Sequence, residues 1–133
     1  MTHRLTIRVY YEDTDLAGIV YYANYLKFIE RARSEWVRDL GIDQGRLRAE
    51  TGIVFAVRRI EADYLAPARF DDVLEVRTEL RELSGARIVL AQDIRRGEAR
   101  LFASVVTLVA LGADGRAVRI PAEFRRAVET NRR

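Results

Sequence analysis

Residues 22–40 read YANYLKFIERARSEWVRDL, and this stretch decides the fold because its period differs from that of the segments on either side. Its apolar residues recur at three- and four-residue spacing, at Tyr25, Phe28, Ile29, Ala32, Trp36 and Leu40. This spacing places them on one face of a helix. Gly41 follows where a helix C-cap is expected. The sequence therefore predicts one long helix from about Tyr22 to Leu40.

The flanking segments alternate with a period of two, which is typical of β-strands. One strand precedes the helix, with Leu5, Ile7 and Val9 on one face. After a linker over residues 43–52, four strands are predicted, at residues 53–65, 73–83, 88–95 and 101–111. In the first of these strands the apolar residues change from odd to even positions near Arg58, which predicts a β-bulge there. The last, LFASVVTLVAL, is apolar on both faces, which is typical of a strand that is central or covered on both sides.

Short turns join these strands, and turns of hairpin length imply antiparallel neighbours. A helix with a wide apolar face has to be covered by the sheet. The order of elements therefore predicts an α+β hot-dog fold, with a five-stranded antiparallel sheet wrapped around one long helix. Residues 120–128, IPAEFRRAV, are predicted to add a last short helix. The 133 residues are predicted to form a single hot-dog domain, residues 1–133.

Composition limits the classes of protein that the chain can belong to. It is 49% hydrophobic and 32% charged, has no Cys, and contains no apolar run of the roughly 20 residues that cross a bilayer. The N-terminus alternates like a strand and lacks an apolar signal segment, so we predict a cytoplasmic location without stable membrane insertion. The 23 basic and 20 acidic residues are interspersed. This balance fits a phosphorylated small ligand and argues against nucleic acid as a partner.

The residue inventory narrows the possible chemistry to carboxylates and main-chain groups. His3 is the only histidine and Cys is absent, so neither a Ser-His-Asp arrangement nor a Cys/His metal site is indicated. Residues 12–22, EDTDLAGIVYY, place Asp13 and Asp15 just before the predicted helix. A carboxylate there could act as a base or a nucleophile, and free N–H groups at the helix start could polarise a carbonyl oxygen. Asp and Gly are equally ordinary turn and capping residues, so spacing alone leaves both interpretations open.

A resemblance to a known family favours the catalytic interpretation. The pattern DTDxxGxVYxxxY, with ERAR downstream on the helix, resembles the 4-hydroxybenzoyl-CoA thioesterase family. Within that family it is similar to the acyl-CoA thioesterases associated with the Tol-Pal cell-envelope system, the YbgC type. Looser similarity continues through DYLAPARFDDVLEV to RIPAEFR. The resemblance implies a hot-dog fold, hydrolysis of acyl-CoA without a metal or other cofactor, and a homodimer or homotetramer.

The resemblance also implies roles for individual residues. It makes Asp15 the catalytic aspartate and the Tyr22 N–H the group that polarises the thioester carbonyl. It implies that Gly18 lets the backbone pass closely by the acyl group, and that Arg87 of the SGAR turn contacts the phosphates of coenzyme A. Many Tol-Pal-associated members carry His at the Tyr22 position, so this chain departs from them there.

Two points stay open at the level of the sequence. Asp15 could activate water or attack the thioester itself, and the preferred acyl chain is not defined. The alternative function is a non-catalytic hot-dog module that binds a fatty-acyl ligand or a cell-envelope-related protein partner. Hydrolysis of an acyl-CoA distinguishes the enzyme from such a module.

Overall fold

The structure, a computed structural model, describes residues 2–131. Within this range a short 3₁₀ turn at Tyr11–Asp13 lies between the first strand and the first helix. The remaining elements are β1 (Thr2–Arg8), α1 (Asn24–Asp39), α2 (Gln44–Thr51), β2 (Val54–Tyr64), β3 (Val73–Leu83), β4 (Ile88–Arg96), β5 (Ala99–Leu111), β6 (Ala117–Val118) and α3 (Ala122–Thr130).

The strands form one antiparallel sheet in the order β1-β3-β4-β5-β2, and the two-residue β6 pairs with the end of β5. Helix α1 lies against the inner face of this sheet, where Phe28, Ile29 and Ala32 are fully buried. The facing strand residues are equally buried, at Leu74, Val76, Ile88, Leu90, Ile94, Phe102 and Val106. Burial of this helix face against the sheet excludes water from both elements and is the main stabilising contribution to the fold. The predicted hot-dog fold is confirmed.

Local details of the sheet follow the alternation in the sequence. The register of β2 against β5 shifts between Val57 and Arg59, which confirms the predicted bulge. Strand β5 lies between β4 and β2, as its apolar character indicated. Its outer face is only partly covered within one chain, because Val105 is 42% exposed.

The predicted linker over residues 43–52 is wrong, because these residues form helix α2. The Asp43 carboxylate caps its start by accepting the Arg46 N–H at 3.0 Å, and Gly52 ends it with a φ of 75°. Leu47 is the one buried residue of this helix. A helix that buries a single side chain carries no apolar periodicity, so the pattern did not predict it.

Candidate active site

The segment between β1 and α1 folds into a tight loop that carries three of the predicted site residues, Asp15, Gly18 and Tyr22. Thr14 and Val20 face each other in an antiparallel bridge. The Asp15 N–H donates to the carbonyl of Ile19 at 3.0 Å, and the Gly18 N–H donates to the carbonyl of Asp15 at 2.9 Å. Residues 15–18 therefore form the tip of a short ribbon.

Gly18 adopts a φ of 78°, a left-handed conformation that side chains disfavour. A Cβ at this position would meet no other atom within 4 Å. The backbone conformation, rather than a shortage of space within the chain, therefore requires glycine here.

The Asp15 side chain lies at the exposed tip of the ribbon. Its Oδ1 accepts the Ala17 N–H at 2.9 Å, an Asx-type contact that fixes the carboxylate relative to the loop. Residues 2–131 supply no cation within ion-pair distance of this carboxylate. Next to it, the Leu16 side chain is fully exposed. The arrangement presents a carboxylate to solvent, with one oxygen that accepts no hydrogen bond from the described residues and an apolar neighbour beside it.

The Tyr22 main chain lies two residues before the first residue of α1, next to the N-cap Ala23, with its N–H available. The Asn24 N–H donates to the carbonyl of Tyr21 at 2.8 Å, whereas the N–H groups of Tyr22 and Ala23 find no acceptor among the described residues. Unpaired N–H groups at a helix start carry partial positive charge. They can therefore stabilise a developing oxyanion.

Asp13, the other carboxylate of the stretch, is buried and holds the loop. Its Oδ2 accepts the Tyr10 N–H at 2.8 Å and its Oδ1 accepts the Asn24 Nδ2–H at 3.0 Å. Its main-chain carbonyl accepts the Tyr21 N–H at 2.8 Å. Asp13 thus ties the end of β1 to the start of α1, which is a supporting role.

A second loop, residues 65–72, supports the site from the side, and the sequence analysis did not assign it this role. The buried Tyr25 hydroxyl oxygen accepts the Ala68 N–H at 2.9 Å, and the Ala68 carbonyl accepts the Val20 N–H at 2.9 Å. Ile19 and Arg69 form a further bridge. These contacts connect helix α1, the second loop and the ribbon that carries Asp15.

Tyr64 at the end of β2 is a further site residue that the sequence analysis missed. Its hydroxyl donates to the Tyr22 carbonyl at 2.9 Å, and its ring packs edge-on against Tyr22, Tyr25 and Phe102. Partial burial, reinforced by the neighbouring Tyr22 and Tyr25 phenols, raises the pKa of Tyr64 above its usual value. The hydroxyl therefore remains a donor at neutral pH and beyond.

The structure does not bring Arg87 to Asp15 within one chain. Arg87 lies in the turn before β4, where its Nε donates to Glu82 at 2.8 Å. The other end of β4 lies beside the 65–72 loop, because Arg96 Nη1 donates to Asp72 at 2.7 Å. The nine residues of β4 span about 30 Å at the usual strand rise. Arg87 and the Asp15 loop thus lie at opposite ends of the sheet.

Residues 2–131 contain no group of three or more His, Cys, Asp or Glu side chains that could hold a metal ion. None of the helices over the same residues is long and apolar enough to span a membrane.

An antiparallel sheet around one helix, with an aspartate loop before free helix N–H groups, defines the hot-dog class of thioesterase-like proteins. Residues 17–103 match the family described as the thioesterase superfamily. The chain is 44% identical over 106 residues to an acyl-CoA thioester hydrolase, YbgC, of Escherichia coli; the match covers 80% of this chain and 78% of that protein. It is 44% identical over 100 residues to the acyl-CoA thioesterase YbgC of Haemophilus influenzae, covering 75% and 74%.

Solved structures agree with the sequence relatives. A probable thioesterase from Bartonella henselae superposes with a TM-score of 0.87 at 36% identity, over 91% of this chain and all of that one. The chain belongs to the thioesterase superfamily.

Proposed function

We propose that this protein is an acyl-CoA thioesterase that hydrolyses an acyl-CoA thioester to the free acid and coenzyme A. The observation that carries the proposal is one loop that presents the Asp15 carboxylate and the unpaired Tyr22 N–H at a helix start. The names of the Escherichia coli and Haemophilus influenzae relatives support acyl-CoA as the substrate class.

Asp15 serves as the general base or as the nucleophile. As a base it removes a proton from water while the oxygen attacks the thioester carbonyl, and the C–S bond then breaks to release the thiolate. As a nucleophile it forms a mixed anhydride, which water hydrolyses in a second step. In both routes the Tyr22 N–H stabilises the negative charge on the carbonyl oxygen.

No histidine is needed in this scheme, because a thiolate is a moderately good leaving group that requires little protonation. The single histidine, His3, pairs through Nε2 with Asp39 at 2.8 Å. It lies on β1 opposite Thr78, near the end of that strand remote from the Asp15 loop.

The proposal is tested with a panel of acyl-CoA thioesters that vary in length and aromaticity, with release of free thiol as the measurement. We expect turnover of at least one member. A purified, folded protein that binds members of the panel without releasing thiol would instead identify the non-catalytic hot-dog module.

Tyr64→Phe is expected to lower kcat by about two- to tenfold, the cost of one hydrogen bond, with little change in KM. The hydroxyl orients the Tyr22 carbonyl and so the main chain at the helix start, whereas the Phe ring preserves the packing. Steady-state kinetics measure the effect, and Tyr11→Phe, at an 82% exposed tyrosine, is the control. Equal kinetics for both variants would leave Tyr64 without a role in the reaction.

We propose that the protein is a homodimer or a homotetramer. Strands β1 and β2 end the main path of the sheet with unpaired edges, and the outer face of β5 exposes Val105. Light scattering is expected to give about 31 or 61 kDa, two or four times the 15.3 kDa chain. A 15.3 kDa species at micromolar concentration would contradict this expectation.

Arg87 is proposed to contact the phosphates of coenzyme A bound at the site of a second subunit, since its own Asp15 lies at the other end of the sheet. Arg87→Ala should raise KM for acyl-CoA about two- to fivefold, as for an exposed ion pair, and leave kcat unchanged. KM for a short thioester without the nucleotide should not change. Arg116→Ala, in the exposed turn before β6, is the matched control. Equal effects on both substrates would place Arg87 away from the coenzyme.

We also propose that the enzyme works in the cytoplasm and is associated with the Tol-Pal system. The location rests on composition, and the association rests on the resemblance to that branch of the family.

A further inference from the structure

Arg33 on helix α1 is a buried cation with few acceptors. It is 9% exposed, and its Nη1 donates to Gln92 Oε1 at 2.9 Å. A guanidinium has five N–H donors, yet this is its one side-chain hydrogen bond among residues 2–131, and no carboxylate of that range forms an ion pair with it. Burial lowers the pKa of Arg33, and the negative charge of Glu30 opposes that shift. The side chain remains charged at neutral pH.

Gln92 cannot supply further acceptors to Arg33. Its Nε2 donates to the Ile29 carbonyl and to Thr78 Oγ1, both at 2.9 Å, so the amide orientation is fixed with Oε1 towards Arg33. The remaining guanidinium nitrogens are not fully enclosed by core atoms. Arg33 lines a cavity whose walls come from α1, α2, β2, β4, β5 and α3.

This cavity has a volume of about 210 Å³ and mainly apolar walls. Three aromatic side chains form part of its lining: the Phe124 ring centroid lies 5.8 Å from that of Trp36 and 5.3 Å from that of Phe55. The other apolar residues of the lining are Val37, Val57, Ile88 and Leu108. An apolar cavity of roughly 150 Å³ is large enough for a benzene ring. The space therefore accommodates one aromatic ring with a small polar group.

Charge decides which end of such a ligand points inward. Glu30 and Gln44 are exposed residues of the lining, and Glu30 Oε1 accepts the Ser34 hydroxyl at 2.9 Å. The Glu30 carboxylate disfavours a second anion beside it at the mouth, whereas the buried Arg33 offers a fork of donors that matches a carboxylate. A buried charge that forms no ion pair among residues 2–131 is costly, so an anion bound at Arg33 offsets part of that cost.

We propose that this cavity is a binding site for a small aromatic carboxylic acid, held by its carboxylate on Arg33 and by its ring among Trp36, Phe55 and Phe124. The site is separate from the Asp15 loop of the same chain. Arg33 lies nine residues beyond Asn24 on α1, about 14 Å along the helix axis. The proposal does not depend on hydrolysis of acyl-CoA.

Trp36 provides the readout, because it is the only tryptophan of the chain and lies in the cavity wall. Titration of the wild-type protein with benzoate, at ionic strength held constant with sodium chloride, is expected to change its fluorescence in a saturable way. Benzyl alcohol should bind at least about tenfold more weakly, because it lacks the charge-assisted hydrogen bonds. A wild-type protein that gives no saturable change, or that binds both probes equally, overturns the proposal without any variant.

Two variants test the parts of the site separately. Arg33→Met should abolish the preference for benzoate, whereas Arg31→Met, which removes an exposed charge from the same helix, should keep it. Leu108→Phe keeps Arg33 and fills the cavity, so it should weaken benzoate at least tenfold. Circular dichroism verifies that each variant is folded. If Arg33→Met protein does not fold, the benzoate affinity of Leu108→Phe protein tests the site instead. Unchanged benzoate affinity in folded Arg33→Met or Leu108→Phe protein would overturn the assignment.

Discussion

Asp15→Asn is expected to lower kcat for the best acyl-CoA by about 10²–10⁴, the usual contribution of a positioned base, and to leave the fold intact. The amide can neither accept a proton from water nor attack the thioester. Its Oδ1 can still accept the Ala17 N–H, so the loop keeps its hydrogen bond. Thiol release under saturating substrate measures the effect, and circular dichroism confirms folding. Wild-type turnover in the folded variant would refute Asp15 as base or nucleophile.

Asp13→Asn is the matched control, since it makes the same chemical change two residues away. Both Asp13 oxygens accept hydrogen bonds, one from the Tyr10 N–H and one from Asn24 Nδ2–H. In the Asn variant the amide NH₂ faces one of these two donors, so that hydrogen bond is lost. We expect a loss of about 1–3 kcal/mol in the free energy of unfolding, measured by denaturant titration. At temperatures where this variant is folded, its kcat should fall far less than that of Asp15→Asn.

Tyr22→Pro is expected to lower kcat by about 10²–10³, the typical cost of losing one oxyanion donor. The Tyr22 N–H has no acceptor among residues 2–131, so its removal breaks no hydrogen bond described there. Proline is also well tolerated next to the start of a helix. Steady-state kinetics on the folded variant measure the loss.

Two further variants separate the main chain from the ring. Tyr22→Ala keeps the N–H and removes the ring contacts with Tyr21 and Tyr64, and Tyr22→Phe removes only the hydroxyl. Both should retain most of kcat, with altered KM or acyl preference as the main effect. A folded Tyr22→Pro enzyme with normal kcat, or an inactive Tyr22→Phe enzyme, would contradict the main-chain assignment.

The elements that the sequence predicted correctly are those in which buried apolar side chains recur at a regular spacing over several helical turns or several residue pairs of a strand. Helix α1 buries seven residues on one face, β4 alternates along its length, and β3 alternates as far as the irregularity between Leu80 and Glu82. Local periodicity was therefore sufficient to predict them. Helix α2 and the two-residue β6 bury too little apolar surface to produce such a signal. Their local cues were Asp43 and Gly52 for α2 and the turn at residues 112–115 for β6.

The candidate site likewise contains residues that the sequence identified and residues that it did not. Asp15, Gly18 and Tyr22 lie within eight consecutive residues, so one motif could identify them together. Tyr64 and Ala68 are more than 40 residues from the groups that they contact, Tyr22 and Tyr25. No local pattern indicates which distant side chain reaches a given main-chain group, because that depends on how the sheet curls around α1.

The sequence by itself determined the long helix, the antiparallel strands around it and the loop that carries Asp15, since each depends on neighbours close along the chain. The tertiary structure alone decided that Arg87 lies at the far end of the sheet from that loop. It also decided that Arg33 is buried against Gln92, 59 residues away, beside a cavity. Sheet order and register set these distances, and they result from the joint packing of all strands on one helix, which no single segment encodes.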